Sequence, residues 1–388
     1  KKNIMYCEDY CAMLVVAAAI VTVMMVHQGC CSSPWCLSAY VAAAAIWCWL
    51  LRFCGSGFRY GRYPTFKGTE LKGKTVFITG ANTGIGFEAA FLLAQCGCRH
   101  IVISCRDREK ADEALRKLQR RIVAAGLMVP QLTALTLELA STTSIDDCVR
   151  QYRALKLPWL DVLINNAGGM YIPQSSTGPL MRTQEGQEAH LGCNFVGPVR
   201  LTEALLPDLA AAPDGGRVVI VASRAHETVT SARQLATLMR EHPDLPSVPR
   251  TYRGALLLYA VSKLGNIYHA ADLARRCEAA KLRVTCLSLH PGIVASDFLR
   301  YFPIVSADNL FSRALKRVIS CGQKTSFEAA LTLIHGATAK DVVNGAYYAD
   351  ERRRAPTALG QDRSAADLML RTLCSGAVSS ATSSKWTH

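Results

Sequence analysis

A doubly wound α/β fold on a parallel sheet is the class this sequence predicts, and three observations predict it. Short runs rich in Val, Ile, Leu and Thr alternate with longer helical patterns from Thr75 to Ala349. A glycine-rich turn joins the first of these runs to the first helical pattern. The polar residues able to do chemistry fall at or just after the C-terminal ends of the apolar runs. Such alternation covers a mostly parallel sheet with helices on both faces. In open sheets of this kind, ligands bind at the rim formed by the strands' C-terminal ends.

The first sixty residues are a separate object. Cys11 to Val26 carries no charge, and neither does Pro34 to Leu51. Each is near the ~17–25 residues that a helix needs to cross a bilayer. Trp47 and Trp49 close the second run as interfacial aromatics do, and Arg52, Arg59, Arg62 and Lys67 follow on what the positive-inside rule makes the cytoplasmic side. Lys1 and Lys2 fit a hairpin with both ends in the cytosol. A signal peptide followed by one span is a competing reading, but Glu8 and Asp9 stand where a basic segment belongs. A buried pair of soluble helices is another. The expected organisation is a membrane anchor of one or two transmembrane helices at 1–60, a single catalytic domain at 61–360 and a C-terminal tail at 361–388. That tail reads as one short helix and then a disordered Ser-rich stretch.

The formal charge of +14 and pI near 9.2 point to an anionic partner. Nucleic acid is disfavoured because no Lys/Arg block with interleaved aromatics occurs; a phosphorylated cofactor or an anionic membrane surface accounts for the charge more simply. Sixteen cysteines are present, seven of them in the first 54 residues. With no Cys-x-x-Cys and no zinc-like spacing around Cys96 and Cys98, neither a metal site nor a disulfide framework is expected. Reduced thiols facing the cytosol fit better, with Cys30, Cys31 and Cys54 as weak acylation candidates.

Within the α/β region, "KTVFITGANTGIGFEAAFLLAQCG" supplies a strand, a turn on Gly80, Gly84 and Gly86, and an amphipathic helix. Glycines let the backbone approach a pyrophosphate, and the helix N-terminus offers free N–H groups and partial positive charge. "HIVISC" follows as the second strand and delivers Arg106, the residue type that accommodates a ribose 2′-phosphate, so NADP(H) is favoured over NAD(H). Asp107 keeps the 2′-hydroxyl reading alive. "LTALTLE" reads as a third strand to Glu138, and "LDVLINNAGG" as a fourth ending at Asn165 and Asn166. "RVVIVAS" ends at Ser223, "LRVTCLSLHPG" at His290 and Pro291, and "GAYYA" closes the series.

Tyr-x-x-x-Lys occurs three times, from Tyr63, Tyr152 and Tyr259. Pro64 disfavours helix at Tyr63, and Tyr152 shares its helix with the charged Arg150, Arg153 and Lys156. Tyr259 opens a long helical pattern between the Ser223 and His290 strands. There, positions four apart share a face, so Lys263 stands beside it.

Together "TGANTGIG", "NNAG", Asn194 in "NFVGPVRLT", Ser223, "YAVSK" and "HPGIVAS" resemble the short-chain dehydrogenase/reductase family over roughly residues 72 to 350. "SCRDREKA", "HPGIVASDF" and "KTSFEAALTLIHGA" resemble its retinol dehydrogenase-like branch, which often carries an N-terminal membrane anchor. The resemblance implies a Rossmann-type sheet. It also implies that Tyr259 exchanges the hydroxyl or carbonyl proton while hydride moves to or from a nicotinamide. Lys263 would favour the phenolate and hold the nicotinamide ribose, Ser223 would bond the substrate oxygen, and Asn194 would support a water relay to Lys263. The implied cofactor contacts are Thr79, Gly80, Asn82, Thr83, Gly84, Ile85, Gly86, Arg106, Glu138, Asn166, Ala167, Gly168, Pro291, Gly292, Ile293 and Ser296, with Tyr259 and Lys263. Glu138 stands where the family usually has Asp. His290, beside a turn proline, reads as structural.

Residues 224–258 form a long segment between Ser223 and Tyr259, read as a loop with a short helix bordering the substrate mouth or as a surface insertion. Residues 297–322 carry an apolar stripe against Arg313, Lys316 and Arg317, which suits a lid helix or a membrane-surface helix. The expected protein is a membrane-attached oxidoreductase, in the endoplasmic reticulum or a lipid-associated membrane with a cytosolic catalytic domain. Its substrate would be a lipophilic alcohol or carbonyl: a retinoid, a steroid or a lipid aldehyde. A catalytically silent NADP(H) sensor is the alternative, sugar epimerisation is disfavoured, and a homodimer is compatible with the resemblance.

Overall fold

The computed structural model describes residues 69–172, 178–292, 294 and 323–382, with side chains to residue 376. The expected membrane hairpin, the amphipathic stretch 297–322, Ile293 and Ser296 lie outside the described residues. No helix among the described residues is long and apolar enough to cross a membrane. The chain divides into two units, Phe66–Gly292 with Phe327–His388, and Lys1–Thr65 with Ile293–Ser326. Of the latter, the described part includes an isolated parallel bridge between Val294 and Lys324.

The larger unit is built on strands β1 (Thr75–Thr79), β2 (His100–Cys105), β3 (Gln131–Thr136), β4 (Val162–Asn165), β5 (Gly216–Val221), β6 (Val284–His290), β7 (Tyr347–Ala349) and β8 (Arg352–Arg354). Their order in the sheet is β3-β2-β1-β4-β5-β6-β7-β8, parallel throughout except for the last pair. The order reverses between β1 and β4, which is where a doubly wound sheet opens a crevice for ligand. β1, β2 and β4 are buried at every position, as expected of strands covered on both faces.

The helices are α1 (Gly84–Gln95), α2 (Arg108–Ala124), α3 (Thr142–Ala154), α4 (Gly197–Ala210), α5 (Ala232–Glu241), α6 (Tyr252–Ala279), α7 (Ser326–Thr338) and α8 (Arg363–Thr382). The first was expected to be amphipathic. Instead Ala89 to Ala94 are all buried, and α2 closes over its outer side. Arg121 of α2 forks onto Glu88 with two bonds of 2.9 and 2.8 Å and stacks 4.0 Å above the Phe91 ring.

Several boundaries differ from expectation for local reasons. β3 stops at Thr136 rather than Glu138, because the Glu138 N–H is taken by Ser144 Oγ at 2.9 Å and its carboxylate accepts from Ala140 N at 2.9 Å. These bonds turn the chain into α3. β8 was not anticipated; Asp350 and Glu351 both adopt positive φ, +50° and +62°, the conformation that lets a two-residue loop reverse a hairpin. The eight described cysteines are all buried free thiols.

The largest departures lie at 224–258 and beyond 361. The first segment is mostly helical: a 3-10 turn at Arg224–Thr228, then α5, then the opening turns of α6, which begins seven residues before Tyr259. The second carries a helix of 20 residues that runs into the Ser-rich stretch. The two meet in one apolar cluster. Leu235, Leu238 and Met239 of α5 and Met369, Leu373 and Cys374 of α8 pack with Leu258, Val261 and Leu264 of α6. Tyr268 ties the same region together by donating to the Leu359 carbonyl at 2.7 Å. These late segments therefore brace the helix that carries Tyr259. Met369 is fully buried there, so Met369→Ala should cost about 2–5 kcal/mol and lower the thermal unfolding midpoint, measured by calorimetry.

Candidate active site

The crevice beside β1 is shaped by close backbone approach. Gly80 sits at φ +65°, and a Cβ there would lie 2.9 Å from Ala167 Cα; one on Gly86 would lie 2.4 Å from the Gly80 carbonyl oxygen and 2.6 Å from Asn166 Nδ2. Thr79 and Asn166 lash the ends of β1 and β4 together. Asn166 Nδ2 donates to the Thr79 and Gly80 carbonyls at 2.8 and 3.2 Å, and Thr79 Oγ1 accepts from the N–H groups of Asn166 and Ala167 at 3.1 and 3.0 Å. Their side chains are thus committed within the chain, and they shape the turn from beneath.

Above it, Asn82, Thr83, Gly84 and Ile85 are exposed or half-buried. Thr83 precedes α1 in extended conformation without capping it through its side chain, and the first turn holds no acid. Gly84, at φ +60°, faces open space. A helix N-terminus left in this state suits a diphosphate. These residues fit a dinucleotide.

On the outer rim, Arg106 is 72% exposed and its Nε lies 3.9 Å from Glu138 Oε2. Asp107 is occupied differently. It caps α2 by accepting from Lys110 N at 3.1 Å, and that bond holds its carboxyl below the usual range. Pro291 is buried and Gly292, at φ +102°, turns the chain after β6.

The second group of residues gathers beyond β4 and β5. Tyr259 and Lys263 share a face of α6, with the Lys263 ammonium 5.6 Å from the tyrosine ring centroid. Lys263 is buried and donates to the Val221 carbonyl at 3.0 Å, where Asn266 Nδ2 also donates at 3.2 Å. Burial lowers its pKa to about 8. Ser223, two residues past β5, caps the following turn by accepting from Ala225 N at 3.1 Å, and its carbonyl takes the His226 Nδ1 proton at 2.7 Å. Its hydroxyl stands near enough to that of Tyr259 to pull the phenol's pKa down. Burial raises the Tyr259 pKa, while Ser223 pulls the other way. In the chain alone the phenol is therefore favoured, not the phenolate.

Asn194 lies in a π turn, Gly192–Val196, that leads into α4. Its amide clasps Gly169 from both sides, donating to the carbonyl and accepting from the N–H at 2.8 Å each. Gly168 is next to both groups: a Cβ there would lie 3.2 Å from Lys263 Nζ and 3.3 Å from Asn194 Oδ1. The rim thus brings Asn194, Ser223, Tyr259 and Lys263 together. Tyr152, by contrast, is a core residue stacked 5.8 Å from Phe77, and Lys156 lies past the end of its helix at φ +53°. Tyr63 lies outside the described residues.

Sequence reasoning passed over Glu188, His190 and Tyr171, which stand beside this group. His190 Nδ1 donates to Glu188 Oε1 at 2.7 Å, and its ring meets the Tyr259 ring edge-on at 6.4 Å. An acid two positions before a histidine carries no signal in a helix, where such positions diverge.

A glycine cradle at one end of a parallel sheet's rim and a buried tyrosine–lysine pair at the other suit a nicotinamide-dependent oxidoreductase. Residues 74–234 match the family model described as short chain dehydrogenase. Mouse (Mus musculus) retinol dehydrogenase 14 is 35% identical over 289 residues, covering 72% of this chain and 78% of that protein. Human (Homo sapiens) retinol dehydrogenase 12 is 35% identical over 287 residues, covering 73% and 80%. Among solved structures, L-sorbose reductase from Gluconobacter frateurii, in complex with NADPH and L-sorbose, superposes with a TM-score of 0.55 at 19% identity, covering 73% of this chain and 96% of that one. The chain belongs to the short-chain dehydrogenase/reductase family, on its retinol dehydrogenase-like side.

Two outcomes follow from this geometry. Gly86→Ala should weaken NADPH binding by roughly tenfold or more, about 1.4 kcal/mol, because the Cβ meets backbone; fluorescence titration would measure it. Lys263 has a folded pKa lowered from 10.5 to about 8, so burying its charge destabilises the fold below pH 8, by roughly 3 kcal/mol. The penalty fades as pH rises towards 10.5. The stability of Lys263→Met relative to the original chain should therefore fall over that interval in denaturant titrations.

Proposed function

We propose that this chain is an NADP(H)-dependent, membrane-attached oxidoreductase that interconverts a lipophilic alcohol and its carbonyl. The observation that carries the reading is the buried Lys263 ammonium set 5.6 Å from the Tyr259 ring centroid on one face of α6, beside the strand end that carries Ser223. When bound, the nicotinamide supplies or accepts the hydride. Tyr259 Oη holds the proton exchanged with the substrate oxygen, and Ser223 Oγ orients that oxygen. Lys263 would favour the phenolate and hold the nicotinamide ribose, with Asn194 supporting a water relay to it. Gly80, Gly84 and Gly86 would hold the cofactor's diphosphate, with Ala167 and Gly168 among its further contacts.

Preference for the phosphorylated cofactor rests on two features. Arg106 is exposed at the outer rim, and Asp107 is already used to cap α2. Glu138 is Arg106's competing partner. A lipophilic substrate and a membrane location rest on the uncharged runs at Cys11–Val26 and Pro34–Leu51, and on relatives named retinol dehydrogenases. A retinoid, a steroid or a lipid aldehyde is the substrate class that suits them.

Tyr259→Phe should lower kcat by ~10²–10⁴-fold while leaving the NADPH dissociation constant nearly unchanged. Nicotinamide absorbance with retinal, steroid ketones and medium-chain aldehydes would read the first, and fluorescence titration the second. Tight NADPH binding without turnover of any of these would favour a sensor. Arg106→Ala removes a charge-assisted contact of about 1.5–3 kcal/mol, so it should raise the KM for NADPH by roughly tenfold or more and barely move that for NADH.

A further inference from the structure

We propose that His190, held by Glu188, is a positioning residue for the reaction at Tyr259: its imidazole fixes the segment Gly169–Tyr171 and backs the tyrosine ring. The inference rests on the oxidoreductase reading for its effect on turnover, but not for its structural basis. Glu188 precedes the short helical turn Ala189–Leu191 in extended conformation, so its side chain folds back over that turn. One carboxylate oxygen accepts from Leu191 N at 3.1 Å and the other from His190 Nδ1 at 2.7 Å. Glu188 and His190 are each 1% exposed, and a carboxylate taken out of water to that degree needs such donors.

The far side of the ring fixes its protonation pattern. Tyr171 N–H donates to His190 Nε2 at 2.9 Å. A backbone N–H can only donate, so Nε2 is the acceptor and the ring proton belongs on Nδ1, facing Glu188. The carboxylate thereby sets the tautomer, and the tautomer sets the bond to the loop. The Tyr171 ring also stands edge-on to His190 at 5.2 Å.

This arrangement grips the loop after β4 at two points. Asn194 clasps Gly169, and His190 holds Tyr171. The loop carries two successive glycines, Gly168 and Gly169, which impose little conformation of their own. Gly168 is also the residue wedged between Lys263 Nζ and Asn194 Oδ1. Displacement of the loop would therefore reach Lys263 and the Tyr259 ring together. His190 acts through these neighbours and is a positioning residue, not a catalytic one.

Three variants separate the contributions. His190→Phe keeps a ring against Tyr259 but has neither donor nor acceptor. His190→Gln retains an acceptor able to reach Tyr171 N–H, and Glu188→Gln keeps the shape at position 188 without the charge. Amide hydrogen exchange of the 167–172 segment, measured on the ligand-free full chain, reads the clamp without any turnover. The Tyr171 amide should exchange roughly tenfold faster or more in His190→Phe, and close to the original rate in His190→Gln. With NADPH and a turned-over aldehyde, His190→Phe should lower kcat by about tenfold with substrate KM little changed, and His190→Gln should restore part of it. Unchanged exchange and unchanged kcat in His190→Phe would overturn the proposal. Faster exchange with full kcat would reduce His190 to a fold residue and overturn it equally. If His190→Phe does not fold, exchange and kcat in Glu188→Gln decide: original values of both overturn the proposal, and losses in both support it. An original chain that turns over no carbonyl would fail the oxidoreductase reading, while the exchange data would still judge the clamp.

Discussion

The carbonyl of Val221 is the point on which the reacting end of this molecule hangs. β5 ends there, and the freed acceptor takes donors from Lys263 and Asn266, one turn apart on α6. Holding an ammonium in an apolar interior is costly, so the lysine is kept charged only by being fixed against that oxygen and against polar neighbours. Once it is fixed, the rest has little freedom. Tyr259 is one turn before Lys263, Ser223 is two residues past Val221, and a Cβ at Gly168 would press on Lys263 and Asn194 at 3.2 and 3.3 Å. A strand end thus locates four side chains from three separate parts of the chain.

Much of the fold was legible because local chemistry and global position agreed. The glycine turn could be trusted because a strand leads in and a helix leads out. Tyr259 could be chosen over Tyr152 because only the former lies on a helix between two strands whose ends carry polar residues. Arg106 and Ser223 stand just past strand ends on the same rim, whereas Gly292 was expected only through the family resemblance. The hairpin at Asp350–Glu351 was hidden because its turn uses no Asn-Gly or Gly, and the positive φ angles are imposed by the flanking pairing. Glu188 and His190 were hidden because their contact depends on a residue outside the helix folding over one inside it. The C-terminal helix was underestimated because its Ser-rich end argues for disorder, while the Met369, Leu373 and Cys374 stripe that anchors it lies earlier.

The segment between Ser223 and Tyr259 bears on both legibility and likeness. The family match ends at residue 234, inside α5 and before Tyr259. The segment carries a ten-residue helix whose apolar face packs with α8 and α6. Two segments distant in sequence therefore act together, stiffening the helix that carries the tyrosine and lysine. Residues with no polar role at the site decide how firmly the polar ones are held.

The buried thiols have a chemical consequence. Burial raises the pKa of Cys96 and Cys148 to about 12 and that of Cys193, one residue from Asn194, to about 11. At neutral pH these groups are almost wholly protonated, and it is the thiolate that attacks electrophiles. Cys277, hydrogen-bonded to Cys286, is lowered instead, yet it too is shielded from solvent. Aldehydes are electrophiles, and a catalyst that makes or consumes them is exposed to its own reactant at every turnover. In the described part of the chain every thiol is covered, so the aldehydes of the proposed reaction would meet little accessible sulfur.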